Sequence, residues 1–108
     1  MPTPAVIDFG TLCDELGVLI EGPLARDDSS RARLERTLTD GYAQALALEA
    51  ERLKLERKLG RVAAQVSNAD AKTDELSDLS VRLSRASGDL KHLRALLVAA
   101  RRRVSAAA

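Results

Sequence analysis

Residues 76–104 read LSDLSVRLSRASGDLKHLRALLVAARRRV, and apolar residues recur in this stretch at alternating intervals of three and four. Side chains at this spacing lie on one side of an α-helix, and a sustained seven-residue repeat is typical of coiled coils. The stretch therefore predicts one long helix with a single apolar seam. The seam consists of Leu76, Leu79, Leu83, Ala86, Leu90, Leu93, Leu97, Ala100 and Val104.

A similar repeat precedes this stretch in the chain, and the two repeats are out of phase with each other. Residues 67–70 between them favour a turn, because their short polar side chains compete for backbone hydrogen bonds. A reversal there pairs Leu48 with Leu90, Arg52 with Ala86 and Leu55 with Leu83, so that each pair of numbers adds to 138. We therefore predict an all-α protein in which residues 31–108 form an antiparallel two-helix coiled-coil hairpin with a turn near 67–70. The earlier seam consists of Leu34, Leu38, Gly41, Ala45, Leu48, Arg52, Leu55, Leu59, Val62 and Val66.

Residues 1–30 are predicted to form a separate unit, a short amphipathic helix followed by a polar linker over 26–30. Thr11 with Asp14 matches a capping box, and Gly22 before Pro23 is expected to end the helix through a left-handed glycine. Ser29 or Ser30 is expected to cap the first long helix. The apolar face of the short helix consists of Phe9, Leu12, Cys13, Leu16, Leu19 and Ile20.

Four apolar residues outside the two seams, Tyr42, Leu46, Leu96 and Val98, form a predicted association patch. Either the short helix folds back on it to give a three-helix bundle, or two hairpins pair through it into a four-helix bundle. We expect the second arrangement, a homodimer, since two-fold symmetric oligomers are common.

Composition limits the function classes. The 108 residues include one Phe, one Tyr, no Trp and one Cys, and the longest apolar run is too short to cross a bilayer. No signal-peptide pattern opens the chain, so we expect a cytoplasmic protein without membrane contact. Phosphate-binding loops, nucleophile elbows and paired Glu-x-x-His motifs are missing from the sequence, so we expect no enzyme, no cofactor and no metal.

Charge is unevenly distributed along the chain. Residues 1–30 carry six acids and one base, a net charge of −5, whereas residues 81–108 carry seven bases and one acid, a net charge of +6. The two segments are expected to complement each other inside the fold. Arg82, Arg85 and Arg94 are the predicted partner-facing bases, and the alternative is a nucleic-acid surface, which lacks the usual stacking aromatics.

The predicted turn carries acids, with Asp70, Asp74 and Asp78 as candidate partner-facing charges. This tip resembles the acidic-tipped hairpins of Gre-type transcription factors, and the resemblance implies binding to a transcription complex. Acids in the first turns of a helix are also favoured by the helix dipole.

Three single residues have both structural and functional interpretations. Arg52, the one charge in a seam, fixes register beside Glu49 and Glu56, or alternatively binds an anionic ligand between helices. His92 falls on an outer face, where we expect a solvated side chain. Cys13 is expected to act as a small apolar residue, since no histidine lies near it in the sequence.

The sequence thus favours a non-catalytic protein–protein interaction module that acts through its helix faces as a regulator, for example an anti-sigma-like protein, a chaperone or an adaptor scaffold. The first alternative is nucleic-acid or transcription-complex binding through the basic second arm or the acidic tip. The second alternative is binding of a small anion at Arg52.

Overall fold

The computed structural model describes residues 8–22, 27–65 and 70–107, with side chains not described for 70–72 and 107. The described residues are almost entirely helical and contain no strand, which confirms the predicted all-α class. The helices, in chain order, are α1 (Phe9–Glu21), α2 (Asp28–Ala64) and α3 (Asp70–Ala107).

Helix α1 begins earlier than the sequence indicated. Its N-cap is Asp8, whose carboxylate accepts a hydrogen bond from the Thr11 backbone N–H at 3.4 Å, so the predicted cap at Thr11 is wrong. Asp8 and Thr11 are three positions apart, and both are residue types that commonly cap helices. The half-buried Phe9 lies within the helix that begins after Asp8. Asp ranks above Thr as an N-cap residue, which favours the earlier of the two possible caps.

Helix α1 ends where predicted, but by a different backbone conformation. Gly22 has φ −80° and ψ 168°, which is extended backbone, and its N–H still donates to the carbonyl of Val18. The expected left-handed glycine is therefore wrong, and Pro23 lies outside the described residues.

Helix α2 also begins before its predicted cap. Asp27 precedes it, and the Asp27 carboxylate accepts a hydrogen bond from the Ser30 N–H at 2.9 Å. Asp28, Ser29 and Ser30 are helical, so neither serine is the cap and most of the predicted linker belongs to α2. A carboxylate accepts from the first backbone N–H groups at least as well as a hydroxyl does, which explains the shift.

Of the turn predicted near 67–70, residues 67–69 lie outside the described residues. Helix α2 ends at Ala64 and α3 begins at Asp70. Asp70 is therefore the first residue of a helix.

The chain divides into two compact units, and α2 and α3 contribute to both. Unit 1 contains α1, α2 up to Ala45 and α3 from His92 onward. Unit 2 contains Leu46–Lys91.

The core of unit 2 is aliphatic and comes from the two predicted seams. Leu55 and Val62 of α2 pack with Leu79 and Ala86 of α3, and all four side chains are at least nine-tenths buried. Partly buried seam leucines pack against this cluster, namely Leu59, Leu76 and Leu83. Removal of these apolar side chains from water is the main stabilising contribution in a unit that contains no aromatic residue.

The core of unit 1 includes α1. Leu12 and Leu16 are almost completely buried, as are Leu93 and Leu97 of α3. Gly41 of α2 has no side chain, and Leu97 and Leu16 therefore approach the α2 backbone closely at this position. Of the apolar face predicted for the short helix, Leu12 and Leu16 are thus buried within the chain, and the other four residues are half-buried.

Candidate interaction surfaces

The residues predicted to set the register are covered to different degrees, all within unit 2. Leu90, Leu55 and Ala86 are buried, whereas Leu48 and Leu83 are half-buried. Every described seam residue is buried or half-buried, so the seams account for the inward-facing side of both long helices.

Arg52 is paired within its own helix. Its Nε atom lies 3.9 Å from Glu56 Oε1, one of the two partners expected from the sequence. The two side chains are 39% and 51% exposed, so this ion pair is solvated and contributes little, about 0.3–0.5 kcal/mol. An anion at Arg52 would have to compete with the Glu56 carboxylate.

The four residues of the predicted association patch do not share one environment. In unit 1, Tyr42 and Val98 are exposed while Leu96 is half-buried. Leu46 belongs to unit 2 and is 66% exposed.

A second apolar surface lies on the outer side of α2, and the predicted association patch includes only one of its residues, Leu46. From Leu46 to Leu53, every exposed residue is apolar: Leu46, Ala47, Ala50 and Leu53. We name these four residues the α2 outer strip. Leu46 and Leu53 are seven residues apart and therefore lie on one side of the helix.

Polar residues of the same segment lie beside the strip rather than in it. Glu49, Glu51 and Arg52 are half-buried, whereas the four residues of the strip are exposed. This arrangement reverses the usual pattern of a surface helix, in which charges point outward.

The predicted partner-facing charges whose side chains are described are all exposed. Arg82 lies 4.0 Å from Asp78 in an exposed i, i+4 pair, so part of the tip charge is balanced within α3. Arg85, Arg94 and Asp74 are also exposed, and the side chain of Asp70 lies outside the described set.

His92 is exposed and Cys13 is half-buried. Within residues 8–22, 27–65 and 70–107, no three His, Cys, Asp or Glu side chains are grouped closely enough to hold a metal ion. The helices described here also include none with the length and apolar character needed to cross a bilayer.

Comparison of the chain with protein-family models, with curated proteins and with solved structures finds no match.

Three features were missed at the sequence level. Leu53 and Val81 are 46% and 57% exposed, although the seam analysis gave neither residue a role. Thr37 is buried, and its hydroxyl donates to the carbonyl of Arg33 at 3.0 Å. Thr37 lies one turn before Gly41 and outside the two-helix seam, so the seam pattern gave no reason to expect its burial.

A contact between α1 and α3 was anticipated from the sequence only in general terms, as attraction between an acidic and a basic segment. The Arg103 guanidinium donates hydrogen bonds to the backbone carbonyls of Ile20 and Gly22. Helix α1 has no basic residue in its last turn, so α3 supplies the cation that the carbonyl end of a helix favours.

Proposed function

We propose that this protein is a non-catalytic protein–protein interaction module, and that the α2 outer strip is its main contact for a larger partner protein. The observation that carries the proposal is that all exposed residues from Leu46 to Leu53 are apolar. An apolar face rimmed by half-buried charges is typical of a surface that another protein covers. In this proposal the protein acts in the cytoplasm, since its single cysteine makes no use of an oxidising compartment.

The proposal includes an architecture for the surface. In it, α2 and α3 form an antiparallel coiled-coil hairpin, and α1 completes a three-helix bundle in unit 1. The joint core of Leu55, Val62, Leu79 and Ala86 supports the hairpin, because these residues fall near one another in the register that pairs Leu55 with Leu83. The approach of Leu16 to Gly41 and Leu97 supports the third helix.

A long helix backed by a second helix presents the strip rigidly, so little conformational entropy is lost when a partner binds. Leu46 and Leu53 are the expected anchors, and Ala47 and Ala50 between them allow a partner helix to approach closely. Covering the two leucines would contribute about 1–2 kcal/mol each, since both are already partly shielded. A regulatory or adaptor interaction of moderate affinity fits this size.

The test compares affinity capture by the parent chain with capture by the double variant Leu46→Glu, Leu53→Glu. We expect one or more specific partners to be lost from the variant. Val81→Glu provides a matched control, because it places the same charge on an exposed apolar position of α3 in the same unit. Helical content measured by circular dichroism should be equal in all three proteins. Equal capture of the same partners by all of them would contradict the proposal.

Two charge variants separate the alternatives. If the acidic tip is the active element, Asp70→Asn with Asp74→Asn and Asp78→Asn should abolish partner binding. If the sides act, that change should be nearly silent, and reversal of Arg82, Arg85 and Arg94 to Glu should weaken binding, since it alters complementarity to a partner surface. We expect the second result. Loss of binding to random-sequence DNA in the arginine variant alone would favour the nucleic-acid alternative.

A further inference from the structure

Unit 1 carries an acidic outer face on α1. The chain from Asp8 to Glu21 contains four carboxylates and no base. Asp14, Glu15 and Val18 are exposed and lie on one side of the helix, because they are separated by three and four residues. Val18 is 66% exposed, so an apolar side chain stands at the centre of this acidic face.

The same unit carries a basic face on α3 with the same layout. From His92 onward, the described part of α3 contains four arginines and no carboxylate. Val98 is 51% exposed, and Arg101 and Arg102 follow it by three and four residues on the same side. The spacing repeats that of Asp14, Glu15 and Val18 in the opposite chain direction.

The fold does not pair these charges directly with each other. Arg103 is used on the carbonyls of Ile20 and Gly22, and Arg101 Nη1 lies 3.5 Å from the Tyr42 hydroxyl. Among the described residues, neither Asp14 nor Glu15 forms an ion pair. Both faces are therefore still available for opposite charges.

We propose that the partner of these two faces is a second copy of this chain. An antiparallel approach that places Val18 against Val98 of the second copy sets Asp14 against Arg102 and Glu15 against Arg101. In this proposal a two-fold axis relates the two copies, so that the contact is made twice and the dimer closes. The inference does not use the α2 outer strip, so that strip stays open to the partner protein of the proposed function.

Charge complementarity is what selects a second copy. An acidic ligand such as nucleic acid would cover the basic face alone and would give the complementary face of α1 no role. Solvated ion pairs are individually weak, so the dimer is expected to be salt-dependent and to dissociate at about 1 M salt, where the Debye length is about 3 Å. The charges in this interface thus contribute more to the choice of partner than to the affinity.

Sedimentation velocity of the full chain over a range of concentrations provides the test. The acid-face variant is Asp14→Lys with Glu15→Lys, and the base-face variant is Arg101→Glu with Arg102→Glu. Each alone should lower the association constant at least about tenfold, because attractive pairs become repulsive. An equimolar mixture of the two should recover association, since each supplies a face that the other can bind.

The matched control is Arg57→Glu with Arg61→Glu, two exposed bases of unit 2. It should associate as the parent does. A parent that stays monomeric at low salt, or a mixture that fails to recover association, would overturn the proposal. So would species larger than a dimer that grow with concentration, because they would show that the contact does not close. Binding of random-sequence DNA by the parent, lost only in the base-face variant and without dimers, would assign the face to nucleic acid instead.

The Leu46→Glu, Leu53→Glu variant separates this inference from the proposed function. It should dimerise normally while it loses the partner protein. The acid-face variant should show the converse, a monomer that still binds the partner.

Discussion

Gly41 of α2 lies directly against Leu97 of α3, so that a β-carbon added to the glycine would stand 2.5 Å from Leu97 Cδ2. The same added atom would lie 3.8 Å from Leu16 Cδ1 of α1. Three helices therefore meet at the one position of the first seam that has no side chain. Glycine in a helix interior costs about 1 kcal/mol relative to alanine, and the close packing of Leu97 and Leu16 is the compensating gain.

Gly41→Ala is expected to destabilise the protein by about 1–2 kcal/mol, since overpacking the junction outweighs the better helix propensity of alanine. Gly60→Ala is the matched control, because nothing lies within 4 Å of a β-carbon there. That change should stabilise by about 0.5–1 kcal/mol. Urea denaturation measures both, and a stabilised Gly41→Ala would show that Leu97 moves aside easily.

Leu55→Ala should cost about 2–4 kcal/mol, because Leu55 is 4% exposed and its removal leaves a cavity in the unit 2 core. Leu53→Ala makes the same chemical change two residues away, where the side chain is 46% exposed, and it should cost less than about 1 kcal/mol. Equal losses in thermal denaturation would contradict the assigned orientation of α2.

Cysteines at Leu48 and Leu90, with Cys13→Ser in the background, should form a disulfide within one chain under mild oxidation. The expected register places these two positions in the same layer, which is what disulfide geometry requires. Non-reducing electrophoresis at low protein concentration shows the product. Faster crosslinking of position 48 to position 83 would mean that the register is shifted by one heptad.

Asp27 makes the start of α2 sensitive to acid. Hydrogen bonds from the Ser30 hydroxyl and backbone N–H lower the pKa of the Asp27 carboxyl below its usual value of 3.8. Its ionised form therefore stabilises the fold at pH above 3.8, and this contribution disappears as pH falls through the lowered pKa. Asp27→Asn keeps a good cap that cannot ionise. The Tm difference between parent and variant should shrink between pH 5 and pH 2, and a constant difference would contradict this role.

Arg103→Met should release the end of α1. Hydrogen bonds from a charged donor contribute about 1.5–3 kcal/mol, so amide exchange in residues 9–21 should accelerate by tenfold or more. Arg102→Met removes an exposed arginine next to it and should leave α1 exchange unchanged when measured under conditions where the chain is monomeric. Unchanged exchange in the Arg103 variant would show that Leu12 and Leu16 alone hold the helix.

Much of the helical pattern could be predicted from the sequence, because the spacing of apolar residues depends only on helix geometry. The inward-facing positions, such as Leu79 and Leu93, are buried as the two seams indicated. The caps could not be assigned in the same way. Asp8 and Asp27 compete with neighbouring residues that also cap helices well, and the spacing of apolar residues does not distinguish between such candidates.

The surfaces were harder to anticipate than the core. The seam pattern predicts which residues of a long helix face inward, but it does not predict which residues beside the seam are covered by a third helix. Thr37 is buried by 94%, whereas Tyr42 is 40% exposed, although both stand beside the same seam. No local pattern in α2 distinguishes the two positions.

The Arg103 contact joins two segments that are far apart in the sequence. Arg103 and Ile20 are 83 positions apart, so α1 has no binding site for its carbonyl end until nearly all of α3 has been synthesised. At about 5–20 residues per second, the ribosome needs roughly 4–17 s to cover that distance. During this interval Leu97, which packs beside Leu16 and Gly41 in the folded protein, and Arg103 are still missing or only just synthesised. We therefore expect α1 to form its packing contacts only late in synthesis, because a helix of 13 residues has little stability in water without packing partners.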